Sequence, residues 1–243
     1  MVPLGSELLF RISNFRFTDT VSATLLTDAV ILLVVFLVYK HISLRPGKLQ
    51  NIMEIVIDYF YSMTKEIAGD RAAAIFPWFM SFFLFIVFAN LLGLMPGYSA
   101  LGLRDGKELI PIFRTPTSDL NLTLALAIIS LVATHYLALK FIGVKHYLKH
   151  FFSISPILLF IGLLEIMSEL TKLISFSFRL YGNIFAGEVV LSRVSTLFSP
   201  FIAPLPFILL EFIVAVVQAF IFAMLTMVFM SMLSAPQSEG GGH

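Results

Sequence analysis

Four long apolar runs, 21–39, 76–95, 120–141 and 205–233, stand out along the chain. Each reaches the roughly 20 mostly apolar residues that a helix needs to cross a bilayer. A fifth run, 157–194, is as apolar but is interrupted by polar groups. No ten-residue in/out alternation of the kind that builds a membrane β-barrel repeats, so the membrane part is expected to be helical. Residues 49–68 follow another pattern. Ile52, Val56, Tyr59, Met63 and Ile67 recur at helical spacing while Glu54, Asp58 and Lys65 keep to another side, as in a helix lying in the membrane interface. Met95-Pro96-Gly97 closes one run, Pro156 opens the fifth, and Pro200, Pro204 and Pro206 mark the turn into the last. The fifth run, roughly 37 residues, would measure about 55 Å as a helix, against about 30 Å of hydrocarbon, so it must tilt or bend. The expected fold is an all-α integral membrane protein, one membrane domain over 1–243. It has five transmembrane helices plus one interfacial amphipathic helix, the last two spans forming a long tilted hairpin.

Composition narrows the class. Of 243 residues 58% are hydrophobic and only 13% charged, against about 25% charged in soluble domains. That excludes a soluble enzyme and a disordered chain, and the net charge of +1 leaves no basic field for nucleic acid. The absence of cysteine excludes a disulfide scaffold, a thiol nucleophile and a cysteine zinc site. Residues 21–39 do not read as a cleaved signal, because Asp28 lies inside them and no A-x-A-like exit precedes Lys40. Loop charges set the orientation. Lys40, Arg45, Lys48, Lys65 and Arg71 follow the first run, and Lys140, Lys145 and Lys149 the third, whereas 97–118 is mixed in sign. The N-terminus is thus expected outside and the C-terminus in the cytoplasm.

A charge at the bilayer centre costs about 2.5–3.5 kcal/mol on insertion scales, so each ionisable group in these runs needs a reason. The fifth run holds Glu165, Glu169, Lys172, Arg179, Asn183, Glu188 and Arg193. At about 100° per residue Glu165, Glu169, Lys172 and Arg179 share a stripe, and Glu188 turns to roughly the opposite face. Asn183 follows Arg179 by one turn, with Gly182 and Ala186 completing a small-residue strip that lets another helix approach closely. Arg179 cannot lose its proton. From the residues alone two uses are open: it holds ionised a carboxylate carried by a partner, or it pairs with Glu188 or another internal acid for stability.

In the last run Glu211 and Gln218 lie on one face. With a turn near Pro200, antiparallel packing sets Gln218 opposite Arg179 and Glu211 opposite Glu188. By depth, Asp28, Asn90, Asp119, Asn121, Glu188 and Glu211 fall toward the outside, and Glu165, Glu169 and Lys172 toward the cytoplasm, with Arg179 between them. Two half-paths blocked by a permanent cation make a poor pore but suit the handing of protons to a moving partner. Asp119, after Thr115-Pro-Thr-Ser, serves as a helix cap at least as readily as in transport. Asp28 is open either way, and His135 reads as interfacial rather than as a relay.

Ser175-Phe-Ser-Phe-Arg179-Leu-Tyr-Gly-Asn183-Ile-Phe-Ala-Gly-Glu188 and Gln218-Ala-Phe-Ile-Phe-Ala-Met-Leu-Thr resemble the subunit a family of F-type ATP synthases. So do Arg45-Pro-Gly-Lys-Leu-Gln, Asn90-Leu-Leu-Gly-Leu-Met-Pro96 and Pro116-Thr-Ser-Asp119-Leu-Asn121, and the likeness covers most of the chain. The resemblance implies that Arg179 is the family's essential arginine, facing a rotating ring of c subunits and keeping two half-channels from short-circuiting. It implies proton-transfer positions at Asn183, Glu188, Gln218 and Glu211, the last where the family carries histidine or glutamate, and a cytoplasmic-side acid at Glu165. Asp119 and Asn90 belong to the motifs on the outer side. The implied partners are the c-ring, the peripheral-stalk b subunits, the rest of the ATP synthase and the lipid bilayer. The signature after the arginine resembles bacterial and plastid versions, and no transit peptide is read, so a bacterial plasma (inner) membrane is expected. No cofactor, metal or directly bound nucleotide is expected, since no glycine-rich phosphate loop occurs. The competing class, a self-contained ion channel or proton-coupled secondary transporter, lacks support from internal repeats or a broken-helix substrate site.

Overall fold

The computed structural model describes residues 8–12, 15–40, 42–43, 47–95, 102–105, 108–111, 114–144, 156–197 and 203–235. The helices among them are α1 (Asp19–Lys40), α2 (Lys48–Ala68), α3 (Ala72–Gly93), α4 (Leu120–Ile142), α5 (Pro156–Leu197) and α6 (Leu205–Leu233), with 3₁₀ turns at Gly69–Arg71 and Pro116–Ser118. Pro96, Gly97 and Pro200, the basic loop residues Lys145 and Lys149, and the side chain of Glu165 lie outside the described residues.

Four of the described segments are long and apolar enough to cross a membrane: α1, the stretch Gln50–Gly93 that takes in α2 and α3, α4 and α6. The helix α5 runs unbroken for 42 residues, about 63 Å at the usual rise. Its ionisable residues set it apart from those four. Helix is not the whole of the chain. Leu8–Ile12 (β1) pairs antiparallel with Phe15–Thr18 (β2), and Gly102–Asp105 (β3) with Glu108–Pro111 (β4). In each ribbon two residues of sequence separate the paired strands.

The centre is α3 against α6, with α4 seated on both α5 and α6. Ile75, Phe79, Phe82 and Ile86 of α3 interleave with Phe222, Ala223, Met227 and Met230 of α6 in one buried cluster. Ala215, Ala219 and Ala223 are fully buried along α6, so the neighbouring helices approach its backbone closely. Phe176 of α5 meets both Phe222 and Phe229, with ring centroids 5.3 and 6.0 Å apart. The helix α1 touches the bundle through a narrow strip, Thr20, Ala23 and Thr27, and Leu25, Leu32, Leu33, Val35, Phe36 and Leu37 are exposed, as lipid contact requires. Thr24 and Thr27 donate their hydroxyls to backbone carbonyls one turn earlier, which satisfies them in an apolar setting.

The inward stripe of α2 differs from the expected one. Phe60, Met63, Thr64, Ile67 and Ala68 turn to the bundle, whereas Ile52 and Tyr59 are more than half exposed. Phe60 explains the rotation, because it stacks among Phe79, Phe83 and Phe220. At the α2–α3 corner Arg71 Nη1 donates to the Ser231 carbonyl and to Ser234 Oγ, both at 3.0 Å, clasping the C-terminal end of α6. Ser231 Oγ donates in turn to the Ile67 carbonyl.

Candidate functional site

Polar groups gather in two places inside the bundle. The first lies where α3 ends, α4 begins and α5 and α6 face each other. Asn90 of α3, 1% exposed, donates through Nδ2 to the Ala215 carbonyl of α6 at 3.4 Å, and its Oδ1 accepts from Thr117 Oγ1. One amide thus ties two helices to the Pro116–Ser118 turn. Gly93 makes the close approach possible: a Cβ there would meet Thr115, its Cβ at 2.8 Å. A cavity of about 30 Å³ opens beside Asn90, walled by Glu188 and Ile184 of α5 and by Glu211 and Ala215 of α6. That is room for about two waters.

Glu211 is 7% exposed and its carboxyl lies against Gly187, at the point where a Cβ would stand. Glu188, the next residue on α5, borders the same cavity. The counter-ion of Glu188 is Arg114, whose Nε is 3.4 Å from Glu188 Oε2. Arg114 is itself 7% exposed, and its guanidinium lies over the Phe185 ring at 5.9 Å. In the sequence Arg114 is one charge of the mixed-sign segment 97–118, and nothing in its spacing distinguishes it from Arg104. The one local hint is its place just before Thr115-Pro116, where the chain must turn inward to start α4.

Asp119 caps α4: its Oδ1 accepts from the Asn121 amide at 2.9 Å, and its Oδ2 accepts from Thr20 Oγ1 of α1 at 3.1 Å. It does not wall the cavity. Asp28 lies on the exposed side of α1, away from the strip that touches the bundle.

The second place lies further back along α5. Glu169, 9% exposed, is held by Lys172 Nζ at 3.0 Å and approached by His135 Nε2 of α4 at 3.9 Å. Lys172 also sits over the Phe229 ring of α6 at 4.3 Å. A cavity of about 20 Å³ borders Glu169 and Lys172, walled by Ser130 and Thr134 of α4. The packing of α4 on α5 thus brings His135 beside the Glu169–Lys172 ion pair.

Arg179 lies between the two, about 14 Å along α5 from Glu188 and about 15 Å from Glu169 by helical rise. It is exposed, and among the described residues its one hydrogen bond is from Nη2 to Ser175 Oγ at 3.4 Å. Among the described residues it forms no ion pair. Of the two uses open to it from the residues alone, pairing with Glu188 is closed, because Glu188 faces the other way and is taken by Arg114. Gln218 does not face Arg179 either. Its Oε1 accepts from Asn183 Nδ2 at 3.0 Å, one turn further along α5. The expected register of α5 against α6 is shifted there by about a turn, while Glu211 does fall beside Glu188.

Apolar helices around two small cavities bordered by ionisable groups, with a guanidinium on an outward face between them that has no ion pair among the described residues, make this a helical membrane protein built around buried charge. The chain matches the ATP synthase A chain family over residues 21–231 and belongs to that family. The ATP synthase subunit a of Geotalea daltonii is 35% identical over 215 residues, 87% of this chain and 85% of its own length. That of Syntrophobacter fumaroxidans is 33% identical over 230 residues, covering 93% and 88% of the two chains. That of Moorella thermoacetica is 29% identical over 223 residues, covering 92% and 94%.

Proposed function

We propose that this chain is the stator proton-channel subunit of an F-type ATP synthase, coupling proton flow through two offset half-channels to rotation of a c-ring. The observation that carries the reading is the placement of Arg179: a permanent cation, exposed, without an anionic partner among the described residues, midway between two separated polar cavities. A buried or lipid-facing guanidinium without a counter-ion is costly. A ring carboxylate arriving at the small-residue strip of Gly182, Asn183 and Ala186 removes that cost.

A proton enters from the outside past the Asn90 and Asp119 end, is taken up at the Glu188–Glu211 cavity, and neutralises a ring carboxylate. The Asn183–Gln218 pair lies on the line from that cavity to Arg179 and supplies hydrogen-bonding groups along it. The ring turns through lipid with the site uncharged, and the proton leaves toward the cytoplasm near Glu165. Arg179 attracts the emptied carboxylate and prevents direct leakage. In this reading α1, α3, α4, α5 and α6 are five crossings, α2 lies in the interface, and α5 and α6 form the tilted hairpin against the ring. The N-terminus is then outside and the C-terminus cytoplasmic in a bacterial plasma membrane. The exposed apolar face of α1 is left for lipid or the b subunits.

The test is Arg179→Ala in the assembled complex, in inverted vesicles, with ATP-driven acidification and passive proton leak followed together. Loss of pumping in an assembled complex, with increased leak, is the expected result. Pumping near the unmodified level would return Arg179 to a structural role and end the rotary reading.

A further inference from the structure

Two carboxyl groups, Glu188 and Glu211, line the outer cavity, and one cation, Arg114, reaches the first of them. Arg114 is 7% exposed and its guanidinium stays charged at any accessible pH. An anion must therefore accompany it, since a buried charge left alone is strongly unfavourable. Glu188 is that anion by position, 3.4 Å from Nε, and the Phe185 ring one turn earlier lies 5.9 Å from the guanidinium carbon. Glu211, on the opposite wall, has neither an ion pair nor a hydrogen bond among the described residues, and its carboxyl is seated on Gly187 beside a water-sized cavity. One cation balances one carboxylate, and among the described residues a second negative charge beside the cavity has no counterpart.

We propose that Arg114 divides the work of the two outer carboxyls, holding Glu188 as a fixed anion and leaving Glu211 as the group that gains and gives up the proton. The inference rests on the proton-path reading above and deepens it. The step is a plain proton transfer. An incoming proton bonds to a Glu211 carboxylate oxygen, and that O–H bond breaks when the proton passes on toward the ring carboxylate. Glu188 and Arg114 keep their charges throughout, and their pair sets the local field in which Glu211 turns over. Arg114 is on this account a positioning residue.

The test is charge-pair rescue in the assembled ATP synthase, with ATP-driven pumping in inverted vesicles normalised to assembled complex. Glu188→Gln alone strands the Arg114 cation, which then captures Glu211 and freezes the carrier, so pumping should fall about tenfold or more. Arg114→Gln with Glu188→Gln removes both charges and should bring pumping back to within about threefold of the unmodified complex, a coupling visible only in the double variant. Glu211→Gln should not be rescued by Arg114→Gln. A double variant no better than Glu188→Gln, or rescue of Glu211→Gln by Arg114→Gln, would overturn the proposal. Arg179→Ala run beside them separates the two levels. If it pumps normally the rotary reading itself fails, whereas if it is inactive and the double variant is not rescued, only the role of Arg114 fails.

Discussion

Gly187→Ala places a methyl group where the Glu211 carboxyl lies, and the outcome can be worked from the structure. An alanine in the interior of α5 gains about 1 kcal/mol of helix propensity over glycine. Forcing a methyl group into a filled site costs about 1–3 kcal/mol. The two nearly offset, so the helix should form and the complex assemble. Relief must come from the flexible end of Glu211, and its carboxyl swings off α5 because the backbone of α5 cannot yield. Glu211 is 7% exposed, so the swing carries it away from Glu188 and the cavity rather than into open space. A displacement of about 1 Å in a proton-transfer group costs on the order of 100-fold in rate. ATP-driven acidification of inverted vesicles, normalised to assembled complex, should therefore drop by about 10- to 100-fold. Adding Glu211→Asp, one methylene shorter, should recover part of the loss. Normal pumping by the Gly187→Ala complex would refute both the contact and the importance of where Glu211 stands.

Gly182 has nothing within 4 Å of its would-be Cβ inside the subunit. Gly182→Leu should leave the subunit foldable and assembled yet abolish pumping, if that strip faces a closely packed ring; retained pumping would place the ring elsewhere. Thr117→Val removes the hydrogen bond that Asn90 receives, leaving a buried amide oxygen unpaired at a cost of about 1–3 kcal/mol. A lower melting temperature of the detergent-solubilised membrane sector would register it, and an unchanged one would contradict the bond. Asp119→Ala should cost about 1 kcal/mol through the lost cap of α4, whereas Asp119→Asn keeps the cap. If the Asn variant pumps as poorly as the Ala variant, Asp119 acts through its charge and not as a cap. Asn183→Leu leaves Gln218 without its partner and should slow pumping severalfold, about 1 kcal/mol for one lost hydrogen bond; an undiminished rate would remove that pair from the path.

The helices and their polar cargo were legible in the chain itself. Runs of apolar residues long enough for a bilayer leave the backbone no option but helix, because unpaired amides in hydrocarbon are too costly. The amphipathic stretch of α2 and the depth order of Glu169, Arg179 and Glu188 follow from rise and turn along a single helix. The opposite facing of Arg179 and Glu188 follows likewise, and both are seen, one exposed and the other turned inward. What lay beyond the sequence was rotation and register between helices. Whether Gln218 meets Arg179 or Asn183 depends on a shift of about one turn, and that shift goes with how Phe176, Phe222 and Phe229 interlock between α5 and α6. Phe60 among three phenylalanines turned the inward face of α2 in the same way. Arg114 is the clearest case. It sits 74 residues from Glu188 in a segment without periodicity, and only the folding of that segment under the end of α5 makes it a counter-ion. Local spacing determines which groups a helix can present, but the packing of side chains that carry no charge decides which charges meet.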